Sequence, residues 1–195
     1  MKFLIASNNA HKIKELNEIL NALGVETVKP KDLGICCEVE ETGTTFEENS
    51  MLKAKNGYAL SGLPTIADDS GLAVDALDGR PGIYSARYAG EDATDAQKIE
   101  KLLGELKGVT NRSAKFVSAV AFYCEDESFT VLGECKGSIA NEPKGENGFG
   151  YDPVFVPENY TESYAQISSE EKNRISHRAR ALIKFKERIT EYLNK

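Results

Sequence analysis

The stretch Thr65-Ile66-Ala67-Asp68-Asp69-Ser70-Gly71 joins a short apolar run to two adjacent carboxylates, a hydroxyl and a glycine. The run predicts a buried strand that ends at the carboxylates. In α/β proteins, sites lie at the carboxyl ends of strands in this way. Because side chains alternate along an extended chain, Asp68 and Asp69 are expected to point in different directions, one towards a pocket and one towards a supporting loop. A carboxylate there can bind Mg²⁺ or accept a proton from water. A solvated Asp-Ser-Gly turn would have the same sequence.

Length and composition describe one domain of ordinary globular character. The chain has 195 residues, of which 41% are hydrophobic and 28% charged, enough for one sizeable core that could form two lobes. The formal charge of −7 argues against a broad nucleic-acid-binding surface but leaves room for a small phosphorylated ligand. No apolar stretch reaches the length of a signal peptide core or a membrane span. We therefore expect neither nucleic acid nor a membrane as a partner.

The cysteines indicate a reducing compartment. Cys36, Cys37, Cys124 and Cys135 show no CxxC spacing, and adjacent cysteines rarely form a disulfide with each other. We expect reduced thiols in a cytoplasmic protein and no zinc site.

The beginning of the chain predicts a strand, a polar turn and a helix. Residues 3–6 are apolar, Ser7-Asn8-Asn9 are polar, and apolar residues then recur at helical spacing. Free backbone N–H groups at this helix N-terminus, with Lys12 in the first turn, can receive a phosphate. No GxxxxGK motif is present, so this is not a Walker-type loop, and Ser7 or Asn9 could equally be only an N-cap.

A capping box at Thr45 opens the second predicted helix. On that helix Asn49, Lys53 and Asn56 lie three or four residues apart and form one polar stripe. Such a stripe is usually a solvated face. If it converges with an acid of the preceding loop and with the two aspartates, however, it forms a cation site beside an ammonium, which is what a polyphosphate requires.

The middle of the chain predicts more strands and one more helix. Residues 72–74 indicate a strand, and residues 94–108 indicate a helix opened by a capping box at Thr94. Residues 113–132 alternate around a polar turn, which predicts an antiparallel hairpin and hence a mixed sheet. The preceding loop, with Arg87, could carry a functional arginine or an ion pair. No repeat or long linker divides the chain.

Residues 145–153 form a glycine-rich loop that contains two aromatic residues. Phe149 and Tyr151, both expected to be exposed, alternate with glycines, and Asp152 precedes a proline. Such a loop lets a flat ligand approach the backbone and an aromatic ring together. One of the two rings could therefore stack on a nucleotide base. An aromatic ring packed under a glycine loop would give the same pattern.

The segment 168–195 begins with a polar run and becomes a long amphipathic helix. Ser176 is a candidate N-cap, which would place His177 and Arg178 in a first turn. The helix dipole repels cations there, so Lys172, His177 and Arg178 together indicate a bound anion or carbonyl oxygen. The cost is only about 1 kcal/mol or less at an exposed end, which leaves a purely structural arrangement open.

With these motifs in view, the chain resembles the non-canonical purine nucleoside triphosphate pyrophosphatases, the inosine and xanthosine triphosphate diphosphatases. The resemblance extends over the whole chain and rests on the joint order and spacing of short motifs. In chain order these are Ser7-Asn8-Asn9 with Lys12 and Glu15, Glu40-Glu41-Thr42-Gly43, Thr45-Phe46, Glu48-Asn49, Lys53, Ala67-Asp68-Asp69-Ser70-Gly71, Pro81-Gly82, Ser85-Ala86-Arg87-Tyr88, Gly148-Phe149-Gly150-Tyr151-Asp152-Pro153, Lys172 and Ile175-Ser176-His177-Arg178.

The resemblance implies a single ITPase-like domain over residues 1–195. Its fold would be two-lobed α/β, with a long central mixed β-sheet flanked by helices and a substrate cleft between the lobes. The implied activity is Mg²⁺-dependent cleavage of ITP, dITP or XTP between the α and β phosphorus atoms, which removes these nucleotides from the pool. A homodimer is also implied.

The site residues of that family carry over position by position. Asp69 would be the catalytic base and, together with Glu40, a metal ligand, although Glu41 matches the motif as well. Lys53 would neutralise triphosphate charge, and Phe149 would stack on the base. The other substrate-binding residues would be Ser7, Asn8, Asn9, Ala10, His11 (without a role for its side chain) and Lys12 around the phosphates, with Ser70, Gly150, Tyr151, Asp152, Lys172, His177 and Arg178 completing the pocket.

Selectivity would rest on a hydrogen bond from the loop at His177 and Arg178 to the purine 6-oxygen. Adenine carries a donor at that position and would leave a buried donor unpaired, at a cost of about 1–3 kcal/mol. Two other functions stay open: a pyrophosphatase for pyrimidine or other modified nucleotides, and a nucleotide sensor without hydrolysis. The presence of Asp69 and Glu40 argues against the sensor.

Overall fold

The computed structural model describes residues 1–195, apart from the side chain of His11. The chain forms two compact units. Unit 1 consists of Met1–Asp69, Ser118–Gly133 and Ala181–Lys195, and unit 2 consists of Ser70–Val117 and Glu134–Arg180. Each unit has a hydrophobic core of its own.

The strands form one mixed sheet. Strand β1 spans Lys2–Ile5, β2 Glu26–Val28, β3 Thr65–Val74, β4 Ser113–Tyr123, β5 Ser128–Ile139 and β6 Phe155–Pro157. Their order in the sheet is β2-β1-β3-β4-β5-β6. Strand β1 pairs in parallel with β2 and with β3, whereas β5 pairs antiparallel with β6. Residues 124–127 join β4 to β5, and because parallel strands need a much longer crossover, these two strands form the predicted antiparallel hairpin.

The helices begin at the residues that the capping patterns predict. Helix α1 spans Ala10–Ala22, α2 Phe46–Ser61, α3 Asp95–Glu105, α4 Ser169–Ile175 and α5 His177–Leu193. Asn9 caps α1, Thr45 caps α2 and Thr94 caps α3, each through a side-chain oxygen that accepts a backbone N–H of the first turn. Among the described residues, no helix has both the length and the apolar character that crossing a membrane requires.

Unit 1 packs helices against both faces of its strands. Ile66 of β3 belongs to the core cluster that contains α1 and α5, whereas Ala67 belongs to a small cluster that contains Ala54 of α2. Because side chains alternate along a strand, Asp68 faces the same side as Ile66 and Asp69 the same side as Ala67. The two aspartates therefore point to opposite faces of the sheet, as predicted.

Unit 2 contains the second core. Leu72 and Val74 of β3 pack there with Leu102 of α3. The ring of Phe116 stacks on that of Tyr164, with a centroid distance of 5.9 Å and an interplanar angle of 15°. These contacts provide a rigid base for the loops and the helix N-terminus described below.

The prediction that a strand ends at the two aspartates is wrong. Residues 65–74 form one continuous strand in which Asp68 and Asp69 are buried. Each carboxylate is paired with a lysine from a helix, so polar residues here mark a buried ion pair rather than the end of the strand. The predicted short strand at 72–74 is the last part of this strand.

The predicted start of the C-terminal helix after Ser176 is confirmed, but residues 169–175 before it form a separate short helix that was not predicted. The chain leaves the helical conformation at Ser176, whose φ and ψ are −66° and 159°, and this residue separates α4 from α5. Ser176 Oγ then accepts a hydrogen bond from Ala179 N at 3.2 Å, as expected of an N-cap. Lys172 consequently lies in the last turn of α4, where the helix dipole favours a cation. Only His177 and Arg178 occupy the unfavourable first turn.

Candidate functional site

Three charged side chains of unit 1 form what we call the acid–lysine cluster: Glu41, Lys53 and Asp69. Lys53 Nζ donates to Glu41 Oε1 at 2.8 Å and to Asp69 Oδ1 at 2.9 Å. All three side chains are largely buried. One ammonium thus contacts two carboxylates.

The surroundings of Asp69 raise the pKa of its carboxyl group. Burial raises the pKa of Asp69 and the neighbouring Glu41 raises it further, while Lys53 and Lys12 oppose this shift without cancelling it. Burial by itself would lower the pKa of Lys53, but its two carboxylates raise that pKa above its ordinary value. Asp69 Oδ2 is buried and accepts no hydrogen bond from the described residues. A cation or a donor group would satisfy this oxygen.

Lys12 and Asp68 form an ion pair on the opposite face of β3. Lys12 Nζ lies 2.8 Å from Asp68 Oδ2, and the two side chains are 17% and 3% exposed. Lys12 is in the first turn of α1, where the dipole disfavours a cation, and Asp68 compensates for this. A cavity of about 370 Å³ extends from Ser7 and Asn8 along α1. The side chain of His11, predicted to lie in this turn, is outside the described part of the chain.

The loop before α2 brings Glu41 to the cluster. Gly43 N donates to Asn49 Oδ1 at 2.8 Å, and Thr44 N donates to Glu48 Oε2 at 2.6 Å. The Glu48 carboxylate thus accepts the N–H of Thr44, the residue before the N-cap, and not the N–H of the N-cap Thr45. The predicted capping box is therefore not completed. The Glu40 side chain is exposed, whereas Glu41 contacts Lys53. Of the two acids that the sequence left undecided, the structure brings Glu41 next to Asp69 through Lys53.

The polar stripe of α2 is not a solvated face. Asn49 is fully buried, Lys53 belongs to the acid–lysine cluster, and Asn56 Nδ2 donates to the carbonyl oxygen of Cys37 at 3.3 Å. The stripe therefore attaches the loop to α2. Cys37 and the other three cysteines are free thiols.

Gly43→Ala is expected to lower the Tm by roughly 2–10 °C. A Cβ at this position would lie 2.6 Å from Asn49 Oδ1 and 2.7 Å from Glu48 Cβ, and overpacking of this kind costs about 1–3 kcal/mol. Thermal unfolding measures the effect. Gly104→Ala in α3 is the matched control, because its added Cβ has no atom within 4 Å apart from its chain neighbours and the backbone of its own helix, and alanine is the better helix former. A Gly43→Ala protein as stable as the wild type would contradict the close packing.

Unit 2 contains a second group of predicted site residues, around the glycine-rich loop. Lys172 Nζ lies 2.5 Å from Asp152 Oδ2 and 4.7 Å from the centroid of the Phe149 ring. Asp152 is buried and also accepts the backbone N–H of Phe149 at 2.8 Å. Burial raises the pKa of Asp152 although Lys172 and Arg178 oppose the shift. Phe149 is 46% exposed, so its ring is accessible to a ligand.

Tyr151 is buried, contrary to the expectation that both aromatic residues of this loop are exposed. Its hydroxyl donates to the carbonyl oxygen of Ser85 at 2.9 Å, and burial raises its pKa far above the ordinary value. The alternation of aromatic and glycine residues does not distinguish the two rings, because which ring faces the core depends on the path of the loop. Gly148 has a φ of 77° and leaves no room for a side chain beside Asp152.

The first turn of α5 presents two buried side chains. The His177 ring stacks on that of Phe116 at 4.8 Å and 13°, and Arg178 Nη2 lies 3.4 Å from Ser70 Oγ. His177 and Arg178 are each 8% exposed. Ser70 follows Asp69 directly in β3. The structure therefore brings Ser70 and Arg178 together.

Two residues near these groups were not predicted as site residues. Phe116, which supports His177, has the pattern of an ordinary core residue in a strand. Asp95, whose carboxylate accepts the backbone N–H of Gly150 at 2.6 Å, lies in a capping box. Both contacts join distant parts of the chain, so no local signal reveals them. Among the described residues, no group of three or more His, Cys, Asp or Glu side chains is arranged to hold a metal ion.

The chain is similar to known proteins in sequence and in fold. The model of the Ham1 family matches residues 3–188 of the chain. A dITP/XTP pyrophosphatase of Bacillus subtilis (strain 168) is 48% identical over 185 residues, which cover 93% of each chain. The structure of a HAM1 protein from Coxiella burnetii superposes with a TM-score of 0.93 at 39% identity, covering 98% of this chain and 99% of that one. A nucleoside-triphosphatase / dITP/XTP pyrophosphatase from Mycobacterium abscessus gives 0.84 at 46% identity, with 95% and 97% covered. These likenesses confirm the predicted α/β fold.

Proposed function

We propose that this chain, which belongs to the Ham1 family, hydrolyses the triphosphates of non-canonical purine nucleosides. ITP, dITP and XTP are the substrates, and the nucleoside monophosphate and pyrophosphate are the products. Similar proteins named dITP/XTP pyrophosphatases support this substrate class. The observation that carries the chemistry is the acid–lysine cluster, in which two carboxylates share one ammonium and a buried oxygen of Asp69 lacks a donor from the described residues.

The acid–lysine cluster fits Mg²⁺ as a cofactor. Asp69 and Glu41 would hold the ion, and Glu40 is the further acid that the resemblance offers. A divalent cation would satisfy the buried Oδ2 of Asp69 and would favour the ionised form of its carboxyl group, whose pKa burial raises. Mg²⁺ is usually held by one or two carboxylates together with substrate phosphates, so a larger group of protein ligands is not required. When bound, it would offset the charge that develops on the departing pyrophosphate.

Asp69 is the general base in this proposal. Its carboxylate accepts a proton from water while the water oxygen bonds to the α phosphorus. The bond from the α phosphorus to the bridging oxygen breaks, and pyrophosphate leaves with the electron pair. Lys53 fixes the orientation of the carboxylate through the bond to Oδ1. Because burial raises the pKa of Asp69, the carboxylate is a stronger base than an exposed aspartate.

Lys12, Lys53 and the N-terminus of α1 bind the phosphates. The positive end of the helix dipole and the backbone N–H groups of the first turn attract anions. Asp68 holds the Lys12 side chain at 2.8 Å, so the ammonium is already positioned. Ser7, Asn8 and Asn9 precede the helix and would contribute further donors.

Phe149, Lys172, His177 and Arg178 bind the nucleoside. The accessible ring of Phe149 stacks on the purine, and such stacking is worth about 1–3 kcal/mol. His177 and Arg178 present donors from a buried helix start, which suits the 6-oxygen of hypoxanthine or xanthine. The amino group of adenine would leave a donor unpaired.

The enzyme acts in the cytoplasm as a homodimer in this proposal. The free cysteines suit a reducing compartment, and the nucleotide pool is found there. The homodimer is supported by the resemblance alone.

A panel of nucleoside triphosphates tests the function. We expect pyrophosphate release from ITP, dITP and XTP with Mg²⁺, at least about tenfold faster than from ATP, and no turnover with excess chelator. Product analysis separates pyrophosphate from orthophosphate. Preferential hydrolysis of pyrimidine triphosphates would identify a different base specificity. Tight binding of ITP without any hydrolysis would identify a nucleotide sensor and contradict the proposal.

A further inference from the structure

We propose that Asp95 is a positioning residue that holds the base-binding loop, residues 148–153, in place for stacking. This inference rests on the proposed function. Asp95 lies in α3 and belongs to none of the motifs that carry the resemblance. It acts through Gly150, the residue after Phe149.

The contact is a hydrogen bond across a long sequence separation. Asp95 Oδ2 accepts the backbone N–H of Gly150 at 2.6 Å, and Asp95 Oδ1 lies 2.6 Å from Lys98 Nζ. An ionised acceptor makes such a bond stronger than one between neutral groups. Burial acts to raise the pKa of Asp95, but its bonds to Lys98 and Gly150 lower it overall. The carboxylate is therefore ionised at neutral pH.

Capping of α3 does not account for this contact. Thr94 and Gln97 already form the reciprocal capping box of the helix. Asp95 Oδ2 is directed to the loop and not to a backbone N–H of its own helix. An acidic residue in a first turn needs no long-range partner to be favourable, so the bond to Gly150 is an additional feature.

The space beside the loop shows why a tether is needed. A cavity of about 560 Å³ is lined by α3, with Ala96, Ile99 and Leu103, and by the loop, with Phe149 and Gly150. Because this space is not filled by side chains, apolar packing does not fix the distance between helix and loop. The bond from Asp95 joins the two walls of the cavity.

The tether complements the contacts on the inner side of the loop. Asp152 accepts the N–H of Phe149 at 2.8 Å, and the hydroxyl of Tyr151 is bonded to Ser85. Gly150, between them, has a φ of 61° and no side chain to anchor it. The Asp95 bond thus fixes Gly150, which has no side chain of its own, and with it the orientation of the Phe149 ring.

The experiment compares Asp95→Ala with two matched variants. Asp95→Ala removes both contacts, Asp95→Asn keeps a side-chain oxygen that can accept the Gly150 N–H, and Lys98→Gln removes only the ion pair. We expect Asp95→Ala to raise KM for ITP about tenfold with kcat within about threefold of the wild type. Asp95→Asn should stay within about threefold, and Lys98→Gln should be unchanged. Phe149→Ala gives the effect expected for complete loss of stacking.

Two further readouts separate positioning from a general structural role. Inorganic tripolyphosphate, which has no base, should inhibit Asp95→Ala with the same Ki as the wild type. Amide hydrogen exchange without nucleotide should become faster in residues 148–153 of Asp95→Ala and stay unchanged in Asp95→Asn.

Several results would overturn the inference. These are an unchanged KM for ITP in Asp95→Ala, an equal rise in the tripolyphosphate Ki, or unchanged exchange in the loop. If the wild type releases no pyrophosphate from ITP, the proposed function fails, and the exchange data still decide whether Asp95 tethers the loop.

Discussion

Asp69→Asn lowers kcat for ITP by a factor of about 100 or more, the contribution expected of a general base. The amide keeps the shape of the side chain but accepts no proton from water. The fold should be retained, because asparagine keeps an oxygen that can accept from Lys53 and removes a charge whose burial is unfavourable. Thermal unfolding should therefore give a Tm equal to or above that of the wild type.

Asp68→Asn is the matched control, because it makes the same change at the next residue of β3. Asp68 balances Lys12 in a buried pair, so its neutralisation leaves an uncompensated ammonium and should lower the Tm by roughly 5 °C or more. Asp69→Asn should lose turnover and keep stability, whereas Asp68→Asn should lose stability and keep the general base. Retained turnover in Asp69→Asn would remove Asp69 from its proposed role.

Lys53→Ala raises KM for ITP by about ten- to a hundredfold, with a smaller effect on kcat. The side chain donates to both Glu41 and Asp69, and a hydrogen bond that involves charged groups is worth about 1.5–3 kcal/mol. Without the ammonium, two carboxylates of like charge lie together and repel the triphosphate. Steady-state kinetics at saturating Mg²⁺ measures both constants.

Lys55→Ala is the control for this substitution. Lys55 lies on the same helix but is exposed, with its ammonium 5.7 Å from the ring of Tyr123. Its removal changes the net charge of the protein equally and should leave KM within about twofold, since an exposed charge contributes little. If Lys53→Ala left KM and kcat unchanged, the polar stripe of α2 would have no part in substrate binding.

Most helices and strands were predictable because their signals are local. The caps at Asn9, Thr45 and Thr94 act on backbone groups within the first turn, and a capping pattern therefore marks a helix start wherever the chain folds. The β4–β5 hairpin follows from alternation and a polar turn. The error at β3 has the opposite cause: polarity usually marks exposure, but here lysines from two different helices neutralise the buried aspartates.

The predicted site residues were identified by motif order, but their arrangement was not. Ser176 has the composition of an N-cap, yet nothing local shows that it separates two helices and thereby gives Lys172 and His177 different environments. The burial of Tyr151 and the exposure of Phe149 likewise depend on the path of one loop. Glu40 and Glu41 are equivalent in the motif and differ only in which of them reaches Lys53.

The amino-acid sequence by itself determined the order of helices and strands, the opposite orientations of Asp68 and Asp69, and the family to which the chain belongs. These properties depend on residues a few positions apart or on the joint order of short motifs. Only the tertiary structure decided that Glu41 and Asp69 share Lys53, that Arg178 reaches Ser70 and that Asp95 holds Gly150. These contacts join residues between 12 and 108 positions apart, and the pKa of Asp69 is raised only once burial has removed water from around its carboxyl group.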